Sequence, residues 1–179
     1  AWYHNFNSGG LQVSNVVMQQ NGNITAFIGN TSGFAPLPGY YVEVTPQGEE
    51  VHKYEPPPGF YMDDHEFHIS GTGANTQASF FTFDLRDTDL TSLGGKASVQ
   101  LAAHQLVRRS SSGVVEFTWN AWDNIGIDEW LGDDGSKATR DPTDYDHPNA
   151  FTFDLNGNYV VSWRNLDQIT DIDPVTGKV

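Results

Sequence analysis

A chain of 179 residues with 23 acidic and 9 basic side chains carries a formal charge of −14 at neutral pH, a surface that repels phosphate backbones and anionic lipid and so argues against nucleic acid and membrane as partners. No run approaches the ~18 apolar residues of a transmembrane helix, and the absence of cysteine excludes disulfides, thiolate metal sites and cysteine nucleophiles without fixing the redox compartment. The 11 Phe, 7 Tyr and 5 Trp set the chain apart from a disordered acidic tail.

Period-two alternation of polar and apolar residues, the mark of half-buried strands, dominates from the start. Leu11 to Met18 reads as a strand, Asn21-Gly22-Asn23 as a tight turn, and Ile24 to Ile28 as the returning strand. Tyr40 to Val44 and Glu49 to Tyr54 form the next pair around Thr45-Pro46-Gln47-Gly48, and Pro56-Pro57-Pro58-Gly59 stops it, because proline removes a ladder donor. His65 to Ser70 and Ala78 to Phe83 follow as strands, then a loop over 84–97 rich in Asp, Gly and Thr. Ala102 to Arg109 and Val114 to Trp119 flank the turn Ser110-Ser111-Ser112-Gly113. The acidic stretch 120–148 has room for a short helical turn and no amphipathic helix. Asn149 to Asp154, Tyr159 to Trp163 and Gln168 to Ile172 are the last strands.

A strand, a turn ending in glycine and a second strand recur at Gly48, Gly113 and Gly177, and Asn-Gly-Asn recurs at 21–23 and 156–158. Such an echo predicts an all-β chain, either a β-sandwich or a β-propeller of four-stranded antiparallel blades. At roughly 40–45 residues per blade, residues 1–179 make a single propeller portion of about four blades. Thr176-Gly177-Lys178-Val179 reads as the entry to a further strand, so the expectation is an incomplete propeller whose partners include its own remainder or another copy of the chain. No cofactor is expected. Asp63-Asp64, Asp133-Asp134-Gly135 and the run from Asp141 to Asp146 offer oxygen ligands of the kind calcium takes, but none forms a twelve-residue EF-hand loop, and solvated acidic loops are the plainer reading. Asn30-Thr31-Ser32 is a glycosylation triplet and a weak secretory hint.

A set of short motifs carries a resemblance. They are Gly39-Tyr40-Tyr41-Val42, Asp64-His65-Glu66-Phe67, Gly113-Val114-Val115-Glu116-Phe117-Thr118-Trp119, Asp144-Tyr145-Asp146-His147-Pro148-Asn149, Asp154 through Asn165, and Ile172 through Val179. In this order and spacing the chain resembles the arylsulfotransferase family, in its secreted fungal-type branch, over about three quarters of its length. The resemblance implies a β-propeller, an extracellular location, and transfer of a sulfuryl group from an aryl sulfate to a phenol through a sulfated histidine. Matched motif by motif, His65, His147 and Arg164 fall on catalytic positions, and the histidine that carries the sulfuryl group falls beyond Val179. Where the family often has Ile-Asn-Ser after its second histidine, this chain has Pro148-Asn149-Ala150.

The chemistry suits those residue types. Sulfuryl transfer asks for donors around three non-bridging oxygens and a proton for the leaving phenolate. An arginine fork such as Arg164 serves the first, and imidazoles such as His65 and His147 serve either. The plainer alternative pairs Arg164 with one of the many carboxylates. A second reading of another class is a non-catalytic extracellular propeller that binds a partner or self-assembles. Trp119, Trp122, Trp130 and Trp163 could line an aryl pocket, but packing accounts for most such residues.

Overall fold

In the computed structural model, residues 3–6, 8–30, 38–130 and 143–179 are described; Asn30-Thr31-Ser32 in part, Asp133-Asp134-Gly135 and Asp141 lie outside that set. Hairpin turns give the architecture its rhythm. The segments Gln19–Asn23, Thr45–Glu49, Ser110–Val114 and Asp154–Asn158 are closed in one way. The N–H of the first residue bonds the carbonyl of the fifth, and the N–H of the fourth, a glycine, bonds the carbonyl of the first. Those glycines, Gly22, Gly48, Gly113 and Gly157, sit at φ values of +84°, +87°, +85° and +88°, a region open to glycine at no steric cost. The sequence echo at Gly48 and Gly113 is therefore a shared turn geometry, and Gly177 closes its own turn by a bond to the carbonyl of Asp173.

Twelve strands arise among the described residues: β1 (Gln12–Met18), β2 (Ile24–Gly29), β3 (Tyr40–Val44), β4 (Glu50–Tyr54), β5 (Tyr61–Ser70), β6 (Gln77–Thr88), β7 (Val99–Ser110), β8 (Val115–Asn120), β9 (Thr143–Asp144), β10 (Pro148–Phe153), β11 (Tyr159–Trp163) and β12 (Gln168–Ile172). They form three antiparallel sheets ordered β1-β2-β3-β4, β5-β6-β7-β8 and β10-β11-β12, with the two-residue β9 pairing parallel to β7. Apart from β9, neighbours in each sheet are neighbours in sequence. The fold is all-β, and the one α-helix among the described residues is a single turn, α1 (Ala121–Asn124). No helix among the described residues is long and apolar enough to cross a membrane.

The loop expected over 84–97 begins later than the composition suggests, because β6 runs on to Thr88. Asp84 and Arg86, two apart and hence on one face, bond each other through Arg86 Nε at 3.1 and 3.0 Å, which neutralises the charge that makes the segment look like a loop.

The chain divides into two compact units, residues 1–82 with 107–116 and residues 83–106 with 117–179. In the first, every residue of β2 is buried, and Phe27, Tyr41, Tyr54, Phe67 and Phe80 belong to one aromatic core. Phe67 stacks on Tyr41 at 4.5 Å and on Phe80 at 5.7 Å between ring centres. In the second unit β11 buries alternate residues, Tyr159, Val161 and Trp163, as a period-two strand should. Phe117 stacks flat on Tyr159 and Trp119 tilts against Trp163. The indole N–H groups of Trp119 and Trp163 donate to the carbonyl of Gly177 and the hydroxyl of Thr170. These two tryptophans are therefore core packing.

Candidate functional site

His147 closes the segment Asp144-Tyr145-Asp146-His147 immediately before β10. Its φ of +41° is a left-handed conformation, tolerated by histidine more than by most side chains but costing about 1–2 kcal/mol. Two carboxylates hold it there. The His147 N–H donates to Asp146 Oδ1 at 2.8 Å and to Asp144 Oδ1 at 3.1 Å, and the ring Nδ1 bonds Asp144 Oδ2. Pairing at Nδ1 fixes the ring orientation and makes Nε2, itself buried, the nitrogen that chemistry would use. The residue after Pro148 is an extra one in the β10–β11 ladder: Pro148 faces Trp163 and Ala150 faces Ser162, which leaves Asn149 as a bulge. Pro148-Asn149-Ala150 thus coincides with a local irregularity of the strand.

A second imidazole joins the same carboxylate pair. His104, on β7 and 1% exposed, places Nδ1 2.5 Å from Asp146 Oδ1, and its backbone N–H donates to Asp146 Oδ2 at 3.0 Å. Asp146 is fully buried and accepts from His104 and His147 together. Tyr145, between the two aspartates, is fully buried, and burial followed by the Asp146 charge pushes its phenol up and keeps it neutral.

Two of the three expected residues are linked through their main chains. The Arg164 N–H donates to the carbonyl of His147 at 2.9 Å, so the end of β11 is tied to the strained histidine. The Arg164 side chain is exposed and donates through Nε to Asn165 Oδ1 at 3.3 Å; among the described residues no carboxylate pairs with it. Asn165 in turn donates to the carbonyl of Asp144 at 2.8 Å.

His65 belongs to the other unit, on β5. Its Nδ1 lies 3.1 and 3.2 Å from the two oxygens of Asp63, and its N–H donates to Asp63 Oδ1 at 2.9 Å. Neighbouring Asp64 accepts from Ser14 at 3.3 Å, and its carboxyl is raised above the ordinary range, first by burial and then by the Asp63 charge. Tyr41, which accepts a bond from Asn15 Nδ2, is raised well above an ordinary phenol by burial and by Asp63. His68 leans on Glu66 at 3.2 Å, apart from the Asp63 partnership, as an odd spacing on a strand requires.

Two groups among the described residues could hold a divalent ion, Asp63 with Asp64 and His65, and His104 with Asp144 and Asp146; in each the ligand atoms lie within 4.8 Å of one another. Mixed imidazole and carboxylate donors suit a transition metal better than calcium. Sequence reasoning singles out His147, Arg164 and His65. Asp144 and Asp146 enter there only within an acidic run of possible calcium ligands, and His104 has no role, although a histidine inside the apolar run Leu101 to Val107 is a signal that a buried partner must exist.

Comparison with protein-family models, with curated proteins and with solved structures returns no match.

Proposed function

We propose that the chain supplies the acid–base and anion-holding residues of a sulfuryl-transfer site acting between phenolic compounds, on a β-propeller of the arylsulfotransferase kind. The observation that supports it is the His147 arrangement: an imidazole oriented at Nδ1 by Asp144, held in a left-handed conformation, and tied through its carbonyl to Arg164. When the ring is protonated at both nitrogens, with Nδ1–H on Asp144, an imidazole so held can give its Nε2 proton to the bridging oxygen of an aryl sulfate as the phenolate leaves, and is left as the neutral Nδ1–H form. The exposed Arg164 guanidinium can meet the non-bridging oxygens in a forked pair. His65, with its own carboxylate partner, and the extracellular location enter through the family resemblance alone. The sequential order of the four-stranded sheets β1 to β4 and β5 to β8 suits blades, whose strands follow one another in the same way.

Titration with 4-nitrophenyl sulfate tests the site. Wild type should bind saturably, and Arg164→Gln should weaken binding about tenfold or more, the effect of one lost charge-assisted hydrogen bond worth about 1.4 kcal/mol or more. Equal binding by wild type, Arg164→Gln and His147→Gln would reject it.

A further inference from the structure

A half-open cleft of about 250 Å³ lies in the first unit, lined by none of the candidate site residues described above. Its floor is Glu43 on β3, an acid buried to 6% exposure in a strand otherwise made of Tyr and Val. Three neutral donors reach that carboxylate. Asn21 and Asn23, from the β1–β2 turn, donate to Oε1 at 2.9 and 2.6 Å, and the Tyr54 hydroxyl donates to Oε2 at 2.8 Å. Burial and the Glu43 carboxylate push the Tyr54 phenol well up, so it remains a donor. A carboxylate has about four lone-pair sites, and three are used here by neutral groups. The negative charge is thus solvated by amides and a phenol, and one acceptor position remains.

The walls continue the same chemistry. His52, opposite Glu43 in the β3–β4 ladder, packs on Tyr54 at 4.2 Å between ring centres. Thr76 and Gln77 enter from the segment before β6, and Ser110 and Ser111 from the β7–β8 turn. A backbone bond from Ser111 N–H to the carbonyl of Thr76 at 2.9 Å fastens those two segments together, so the cleft is built by the fold and not by one loop. No lysine or arginine lines it among the described residues. A site made of one carboxylate, amides, hydroxyls and a ring, without a cation, repels anions and offers paired donors and acceptors to a ligand whose groups are both.

We propose that this cleft binds a neutral sugar ring, with one hydroxyl donating to the remaining acceptor position of Glu43 and its vicinal neighbour exchanging hydrogen bonds with the Asn21, Gln77 and Ser111 side chains. The volume is near the lower end of small-molecule sites and admits about one ring. The site is separate from the His147 chemistry, and either can stand without the other.

The test follows the side-chain amide signals of Asn21, Asn23 and Gln77 by NMR while D-glucose, D-galactose or methyl α-D-mannoside is added, with choline chloride and sodium sulfate as charged controls. At least one sugar should shift these signals saturably, with a dissociation constant on the order of 1 mM, and neither salt should. Ser111→Leu fills the cleft from an exposed turn position and spares the core; it should weaken the sugar at least about tenfold while leaving the other amide signals of the unit in place. No saturable shift with any of the three sugars, saturation by choline instead, or undiminished binding in Ser111→Leu would each overturn the proposal.

Discussion

Asp146 is the residue on which the second unit's polar core turns. It is fully buried and accepts from His104 Nδ1, the His104 N–H and the His147 N–H. Removing one member of such a buried set strands the others without an acceptor. Asp146→Ala should therefore lower stability by about 3–5 kcal/mol, read by urea unfolding, and a loss under about 1 kcal/mol would show that the set is not cooperative. The surface behaves differently. Asp173 accepts from the Val175 N–H at 2.7 Å and from Thr176 at 2.7 Å, and these bonds hold its carboxyl below the ordinary Asp range. A carboxyl depressed in the folded chain stabilises it above the ordinary pKa and loses that contribution as pH falls through the lowered value. NMR of the side-chain carboxyl carbon should show Asp173 still ionised where an unstructured aspartate is half protonated; Asp173→Asn should flatten the acid limb of the stability curve at the closing turn.

At the scale of elements, β2 shows how the strand sequence sets packing. Its Phe27 ring lies between Gly29 and Gly39, and a Cβ on Gly29 would fall 2.4 Å from the Phe27 ring. Gly29 has no positive φ, so the requirement for glycine there is space alone. Gly29→Ala should cost about 1–3 kcal/mol by thermal or urea unfolding, and the double change with Phe27→Leu should recover part of it. Several elements are legible from residue pattern alone: β11 and β12 follow period-two runs bounded by turn residues, and β3 is a short β-branched and aromatic run ended by Thr45-Pro46-Gln47-Gly48. The extension of β6 to Thr88 is not, because Asp84 and Arg86 read as loop charges until their mutual bond on one face is seen. The partnership of His104 with Asp146 spans 42 positions and depends on β7 meeting the segment before β10, a contact that no local pattern encodes. His147 and Arg164 are expected from the family resemblance alone, whereas the strain and carboxylate pairing that give His147 its orientation belong to tertiary structure.

For the whole molecule, the charge of −14 bears on any anionic ligand. A sulfate ester approaching such a surface is repelled over the Debye length, about 30 Å at 10 mM salt and about 8 Å at 150 mM. Association of 4-nitrophenyl sulfate should therefore quicken as salt rises across that range, opposite to the behaviour of a basic anion site; a steady fall would show that local positive charge outweighs the net charge at the site. The central claim is narrower: that the Asp144-held imidazole of His147 is where an aryl sulfate meets the chain. Nitrogen-15 NMR of the histidine rings during titration with 4-nitrophenyl sulfate addresses it most directly. The account predicts a saturable change at His147 Nε2, reduced in Arg164→Gln, with His52 unchanged. A ring signal of His147 that stays constant while the ester binds, or that moves together with all the other histidines, would contradict it.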